Sequence, residues 1–198
     1  MPYEQFMQER LFNPLGMTDT TFWPTAEQIH RLAKTYKADE RAKDLIELPI
    51  SQLTYPLDDR QHRYPMPAGG LFSTAEDVLK FCQMILNGGT LNGKQYISGK
   101  SLHEMTSRQN GGLGGKEYGL GWTVSKDSIG HGGAFKNGME IWVAEGVAEG
   151  RILIFMVQQD GPWGSLAGEA IMPTLERISR DLASVPGEHG VDAAPVKH

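Results

Sequence analysis

Apolar positions Tyr3, Phe6, Met7 and Leu11 recur at the spacing of one helical face, and Pro2 suits the first position of such a helix. Pro14 and Gly16 are expected to end it. A short helix is predicted over Ala26 to Lys34. The clearest amphipathic stripe lies in "STAEDVLKFCQMILNGG", where Val78, Phe81, Cys82, Ile85 and Leu86 share a face. Ser73 and Glu76 have the spacing of a capping box there, and Gly88 and Gly89 supply the stop. "SLHEM" repeats the device with Ser101 and Glu104. From 18 to 67 the periodicity is weak, and Pro24, Pro49, Pro56, Pro65 and Pro67 predict extended connections.

After the loop "RQNGGLGGKEYG" the period changes to two. Tyr118–Ser125, Ile129–Phe135, Met139–Ala144 and Arg151–Gln158 are four strand candidates, with a tight-turn signal at Asn137 and Gly138. Short connections between consecutive strands require an antiparallel sheet. A last helix is expected over Ser165–Ala183, with Ile171, Leu175, Ile178 and Leu182 inward and Pro173 kinking it or starting a second segment. The pattern therefore predicts an α+β fold in three parts. Residues 1–115 are helical and loop-rich, 116–185 hold the antiparallel sheet and C-terminal helix, and 186–198 form a disordered tail.

The 198 residues suffice for one compact domain or two small ones. Nineteen basic against 24 acidic residues, a net charge of -5, argue against nucleic acid as a partner, because phosphate binding draws on clustered Lys and Arg. The single cysteine, Cys82, cannot form an internal disulfide and reads as a core thiol among Phe81, Ile85 and Leu86. No apolar run reaches the ~18 residues of a membrane-spanning helix. "MPYEQFMQER" lacks the basic start and apolar block of a signal peptide. A periplasmic or secreted location is expected if the full-length gene carries such a peptide, and a cytoplasmic one otherwise.

Several chemical motifs fail. "GGTLNGKQ" places Gly88, Gly93 and Lys94 like a phosphate loop, but Gln95 stands where Ser or Thr must hold magnesium, and a helix ends there instead of starting. The glycines of "GGLGGKEYGLG" do not form a dinucleotide fingerprint. His30, His62, His103, His131, His189 and His198 show no metal-ligand spacing, so neither a metal nor a cofactor is expected. No G-x-S-x-G elbow occurs. "SIGHGGAFKNGMEIWV" remains: His131 precedes two glycines at the entry to a strand, like part of an active site that lacks its nucleophile. The plain alternative is a strand-end histidine with no chemical task. Trp122 and Trp142 read as core or pocket wall, and "DERAKD" as a solvated charge run.

"ERLFNPLGMTDTTF", "AGGLFSTAEDVLKFCQMILNGG", "YGLGW" and "GHGG" stand in the order seen in the serine β-lactamase-like superfamily. Taken together, Tyr3 to Leu182 resemble the C-terminal half of class C β-lactamases, low-molecular-weight penicillin-binding proteins and related esterases. The resemblance implies the C-terminal part of the β-lactamase/transpeptidase-like fold and a three-motif acyl-transfer site. In S-x-x-K the serine attacks and the lysine helps take its proton; the tyrosine of Y-x-N relays protons; the third motif, usually K-T-G, lies on a facing strand. By the resemblance, His131 takes the lysine position, Gly132 and Gly133 complete the third motif, and the Ala134 amide is one oxyanion donor.

A histidine there is partly neutral at pH 7 and acts mainly as a hydrogen-bond partner, which favours ester or peptide-like substrates over a β-lactam carboxylate. Ester, amide or β-lactam substrates are implied for the complete protein. No serine of this chain is followed three residues later by lysine, and no tyrosine is followed two residues later by asparagine. The chain is thus expected to begin just after both motifs and to be inactive alone. The sheet edge left bare would be covered by the missing N-terminal half or by a second copy. The alternatives are a non-catalytic binding or assembly module that reuses this half-fold, or a truncated reading frame.

Overall fold

A computed structural model describes residues 1–39, 41, 43–52, 54–111, 117–126, 128–134, 138–144, 150–160, 173–174 and 177. The chain divides into two compact units, Met1–Gly161 and Pro162–His198. Only 173–174 and 177 of the second are described, so the expected helix Ser165–Ala183 and the 186–198 tail otherwise lie outside the described residues. Phe135 of the predicted second strand, Asn137 of the predicted turn and residues 112–116 of the predicted loop also lie outside them.

Helix α1, Tyr3–Met7, passes through a π-helical turn, Gln8–Phe12, into α2, Asn13–Leu15. Pro14 therefore lies within the helical run rather than ending it, because the hydrogen-bond pattern resets just before the proline that has no N–H to give. Gly16 makes the stop. Its φ of 69° is left-handed, and the Gly16 and Met17 amides donate to the Asn13 and Phe12 carbonyls at 3.1 and 2.8 Å. Helix α3, Ala26–Arg31, opens with a reciprocal capping box between Thr25 and Gln28.

Helix α4, Ala75–Leu86, carries the predicted stripe, but its cap is Thr74, whose hydroxyl accepts from the Asp77 amide at 3.2 Å. Ser73 instead bonds Thr20 at 2.7 Å. Helix α5, Gly99–Thr106, begins one turn earlier than its sequence signal: Ser98 is the cap and accepts from the Ser101 amide. In both cases neighbouring hydroxyl residues compete for the cap, and the one in extended backbone before the first turn takes it.

Strands β1, Thr35–Asp39, and β2, Asp44–Leu48, form a hairpin where extended connections were expected, with Arg41 and Lys43 of "DERAKD" in its turn. The pairs β3 (Ser51–Gln52) with β4 (Tyr55–Pro56) and β5 (Thr90–Leu91) with β6 (Lys94–Gln95) are two-residue ladders. The main sheet is antiparallel, as expected. It comprises β7 (Thr123–Val124), β8 (Ser128–Ala134), β9 (Gly138–Ala144) and β10 (Arg151–Val157) in the order β10-β9-β8-β7. Past β10 the chain adds β11, Gln159–Asp160, parallel to β1.

The core gathers around α4. Val78, Cys82, Met84 and Ile85 are buried with Phe12, Leu15, Met17 and Phe22 from the N-terminal segment and with Trp122, Ile129 and Val143 from the sheet region. Phe81 stacks on Trp122 at 6.2 Å between centroids. Gly150 lets β10 start against the end of α4: a Cβ there would lie 2.7 Å from a Leu86 methyl.

Two polar knots hold the loops. Asp77, 2% exposed, accepts from the Asp19 amide at 2.8 Å, the Thr20 hydroxyl at 3.0 Å and Lys80 Nζ at 2.9 Å. Buried Gln52 donates to the Tyr64 and Gly70 carbonyls, both at 3.1 Å, while Arg63 donates to Leu57 and Phe22 carbonyls and lies over the Trp23 ring at 4.7 Å. Among the described residues no buried side-chain nitrogen or oxygen lacks a partner.

Asp77→Ala is expected to lower stability by about 1–3 kcal/mol, the cost of stranding its buried donors, and to move the denaturation midpoint without changing its slope. Lys80→Ala, which leaves Asp77 its backbone and hydroxyl donors, should cost less. Burial pushes the Cys82 thiol up from 9.0 to about 12. The folded state thus favours the protonated thiol, and this contribution is complete below the unfolded value and lost as pH rises through the folded one. Across that window the Cys82-dependent part of stability should fall by about 1.4 kcal/mol per pH unit. The stability difference between wild type and Cys82→Ala, measured against pH, reads it directly.

Candidate active site

The segment "YGLGW" is shaped by close contact with the end of α5. A Cβ on Gly119 would lie 2.4 Å from the Met105 carbonyl oxygen and 2.9 Å from that of Ser107, so only glycine fits. Gly121 takes φ of 85°, the left-handed conformation the turn requires. The Leu120 amide donates to the Met105 carbonyl at 2.9 Å, and the Gly119 amide to the Trp122 carbonyl at 2.8 Å. Trp122 then enters the core. Tyr118 is held at both backbone groups, its carbonyl accepting from the Gln109 amide at 2.8 Å and its amide reaching Asn110 Oδ1 at 3.4 Å.

His131, Gly132, Gly133 and Ala134, the four residues expected to form the third motif, lie consecutively on β8. The strand pairs with β9 along its length, from Ser128 opposite Ala144 to Ala134 opposite Gly138. On its other side β7 pairs only with Ile129 and Gly130. The Ser125 amide donates to the Ser128 carbonyl at 2.8 Å, which sets the alternation: the backbone groups of Ser128, Gly130, Gly132 and Ala134 turn toward β7. Beyond Gly130 no described strand meets them. His131, Gly132 and Gly133 are exposed, and a Cβ on Gly133 would meet no atom within 4 Å.

His131 has a partner that the sequence pattern did not single out. Its Nδ1 lies 3.1 Å from the Tyr118 hydroxyl. Tyr118 forms a lone bridge with Thr123, which pairs with Gly130, so the phenol reaches the histidine across the short β7. The two positions are thirteen residues apart, and only the sheet register brings them together.

An open groove of about 380 Å³, lined by Glu4, Gln8, Phe12 and Trp23 among others, shares no residue with β8. Among the described residues no group of His, Cys, Asp and Glu is arranged to hold a metal ion, and no helix is long and apolar enough to cross a membrane.

The Beta-lactamase family model matches residues 1–171. The chain belongs to the Beta-lactamase family. An uncharacterized protein of Mycobacterium tuberculosis (strain CDC 1551 / Oshkosh) is 36% identical over 107 residues, which is 52% of this chain and 25% of that protein. A protein of Escherichia coli (strain K12) assigned as a D-alanyl-D-alanine carboxypeptidase is 26% identical over 133 residues, 63% of this chain and 30% of its own length. Among solved structures, an assigned beta-lactamase of Bacteroides dorei DSM 17855 matches at a TM-score of 0.54 and 17% identity, covering 90% of this chain and 51% of that one. A penicillin-binding protein homolog of Caulobacter crescentus matches at 0.52 and 15%, covering 80% and 47%. The mixed α+β fold is therefore that of β-lactamases and penicillin-binding proteins. The chain spans about half of these structures, and its sequence matches cover a quarter to a third of the curated relatives.

Within this Beta-lactamase-family chain, the blocks that carried the resemblance touch one another. Thr21 of "GMTDTTF" and Phe72 of "AGGLFST" exchange backbone hydrogen bonds at 3.0 and 2.9 Å, and Thr20 bonds Ser73. Replacing Gly119 by alanine forces its Cβ into the Met105 carbonyl. It is expected to cost about 1–3 kcal/mol and to displace Tyr118 from His131, seen as a lower denaturation midpoint with altered His131 resonances.

Proposed function

We propose that His131–Gly132–Gly133–Ala134 is the third-motif wall of a serine acyl-transfer site for ester or peptide-like substrates. Its nucleophile and base come from an S-x-x-K and Y-x-N segment outside these 198 residues. The observation that carries the proposal is the free side of β8: its backbone groups at Gly132 and Ala134 face an edge that β7 leaves open, and no side chain at Gly132 or Gly133 blocks approach.

An acyl group laid along that edge has its carbonyl oxygen beside the Ala134 N–H. When a serine oxygen attacks the carbonyl carbon and gives its proton to the base, the carbonyl π pair moves onto the carbonyl oxygen, where a fixed amide donor stabilises the charge that forms. His131 supplies a ring nitrogen three residues earlier on the same strand. Such a ring can donate to a substrate oxygen without the permanent charge of a lysine, which suits uncharged acyl groups better than carboxylates.

A second reading, a non-catalytic assembly module, draws on β2. Leu45 and Ile46 are 50% and 42% exposed on an outer strand of the three-stranded sheet. A defined oligomer of the isolated chain that Leu45→Lys disperses would favour it.

The 198-residue polypeptide is expected to give neither turnover nor an acyl adduct with a chromogenic cephalosporin, a p-nitrophenyl ester or a fluorescent penicillin. An adduct on any of its own serines, located by peptide mass analysis, sinks the proposal. Joined to a segment that carries both absent motifs, it should hydrolyse the ester, and His131→Ala should lower kcat/KM by about 10²-fold or more.

A further inference from the structure

We infer that Tyr118 is the positioning residue for His131: its hydroxyl donates to Nδ1, so the neutral ring carries its proton on Nε2 and offers Nε2–H to a substrate oxygen. The inference rests on the acyl-transfer site proposed above, because it specifies which role the histidine plays there. Three features of the molecule support it.

The first is the contact itself. Tyr118 Oη and His131 Nδ1 stand 3.1 Å apart, and among the described residues Nε2 takes no partner. One ring nitrogen is thus committed and the other is open. The second is the chemistry of the pair. A phenol O–H is a better donor than a neutral imidazole N–H, and an unprotonated ring nitrogen is a good acceptor, so a neutral ring facing a phenol is biased to accept. A ring nitrogen's protonation is set by the bond its other nitrogen makes.

The third is rigidity. A positioning group must itself be fixed, and Tyr118 is tied through its amide to Asn110 and through its carbonyl to Gln109. The following Gly119 sits so close to Met105 and Ser107 that the loop has no slack. The phenol is therefore delivered by a loop braced on α5, while the histidine is delivered by a strand paired with β9.

The consequence at the edge is specific. With Nε2–H presented, His131 and the Ala134 amide are both donors on β8, an arrangement for an oxygen-rich acyl group. With the proton on Nδ1, the open nitrogen would be an acceptor and the site would call for a donor or an acidic proton.

The test is the tautomer, read by long-range ¹H–¹⁵N NMR on the full 198-residue chain with ¹⁵N-labelled histidine at a pH where the rings are neutral. His131 should show an unprotonated Nδ1 and a protonated Nε2, displaced from the averaged signals of exposed His30 and His103, which serve as internal references. In Tyr118→Phe both His131 signals should move toward those references while the rest of the spectrum keeps its dispersion. A protonated Nδ1 in the wild type, wild-type signals coincident with the references, or an unchanged His131 in a folded Tyr118→Phe each overturns the inference. If Tyr118→Phe loses its fold, the wild-type signals decide. The measurement needs no turnover, so a failed hydrolysis assay and a failed tautomer assignment remain separate results.

Discussion

A carboxylate taken out of water has to be repaid in donors, and Asp77 is repaid from three places: the Asp19 amide, the Thr20 hydroxyl and the Lys80 ammonium. Two of those donors come from a segment almost sixty residues away in sequence. The start of α4 is thereby locked to the end of the N-terminal helical run. With α4 fixed at that end, its stripe shares one buried cluster with Phe12, Leu15 and Phe22 and with the sheet residues Ile129 and Val143. The hydrogen bond to Asp77 raises the pKa of the Lys80 ammonium above its usual value, which favours the charged form of this donor. The position of β8, and hence of the candidate site, follows from what α4 supports.

Much of this was legible in the residues. The stripe of α4, the period-two strands and the antiparallel sheet follow from local patterns that the tertiary structure reinforces, and the family blocks pointed to the fold the solved relatives share. The hairpin of β1 and β2 was not legible. Its strands are charged and mostly exposed, and β1 gains its pairing from β11, more than a hundred residues on, with the Tyr36 amide donating to the Gln158 carbonyl at 2.9 Å. No local period records such a partner. The caps at Thr74 and Ser98 were shifted by one and three residues because two nearby hydroxyl residues satisfy the same rule in each case.

The candidate site divides in the same way. Its strand residues are contiguous, so a motif found them at once. Tyr118 was quoted as part of "YGLGW" without a task, because its link to His131 exists only once Thr123 lies between the two. The glycines of that segment carried the usable signal. Gly119 marks a backbone forced against the Met105 carbonyl and Gly121 a left-handed turn two residues on, and the side chain beside such a backbone has little freedom left.

The open side of β8 has a further meaning for the life of the protein in solution. A bare strand edge invites other chains to add to it, and proteins usually blunt such edges with charge, proline or a bulge. Here the blunting is by subtraction. A foreign strand docking at Gly132 and Gly133 would find backbone hydrogen bonds but no side chains to bury against, and it would order a stretch with weak preference for extended backbone. Gly132 and Gly133, the residues proposed to leave room for a small acyl group, therefore also make the described edge a poor template for aggregation.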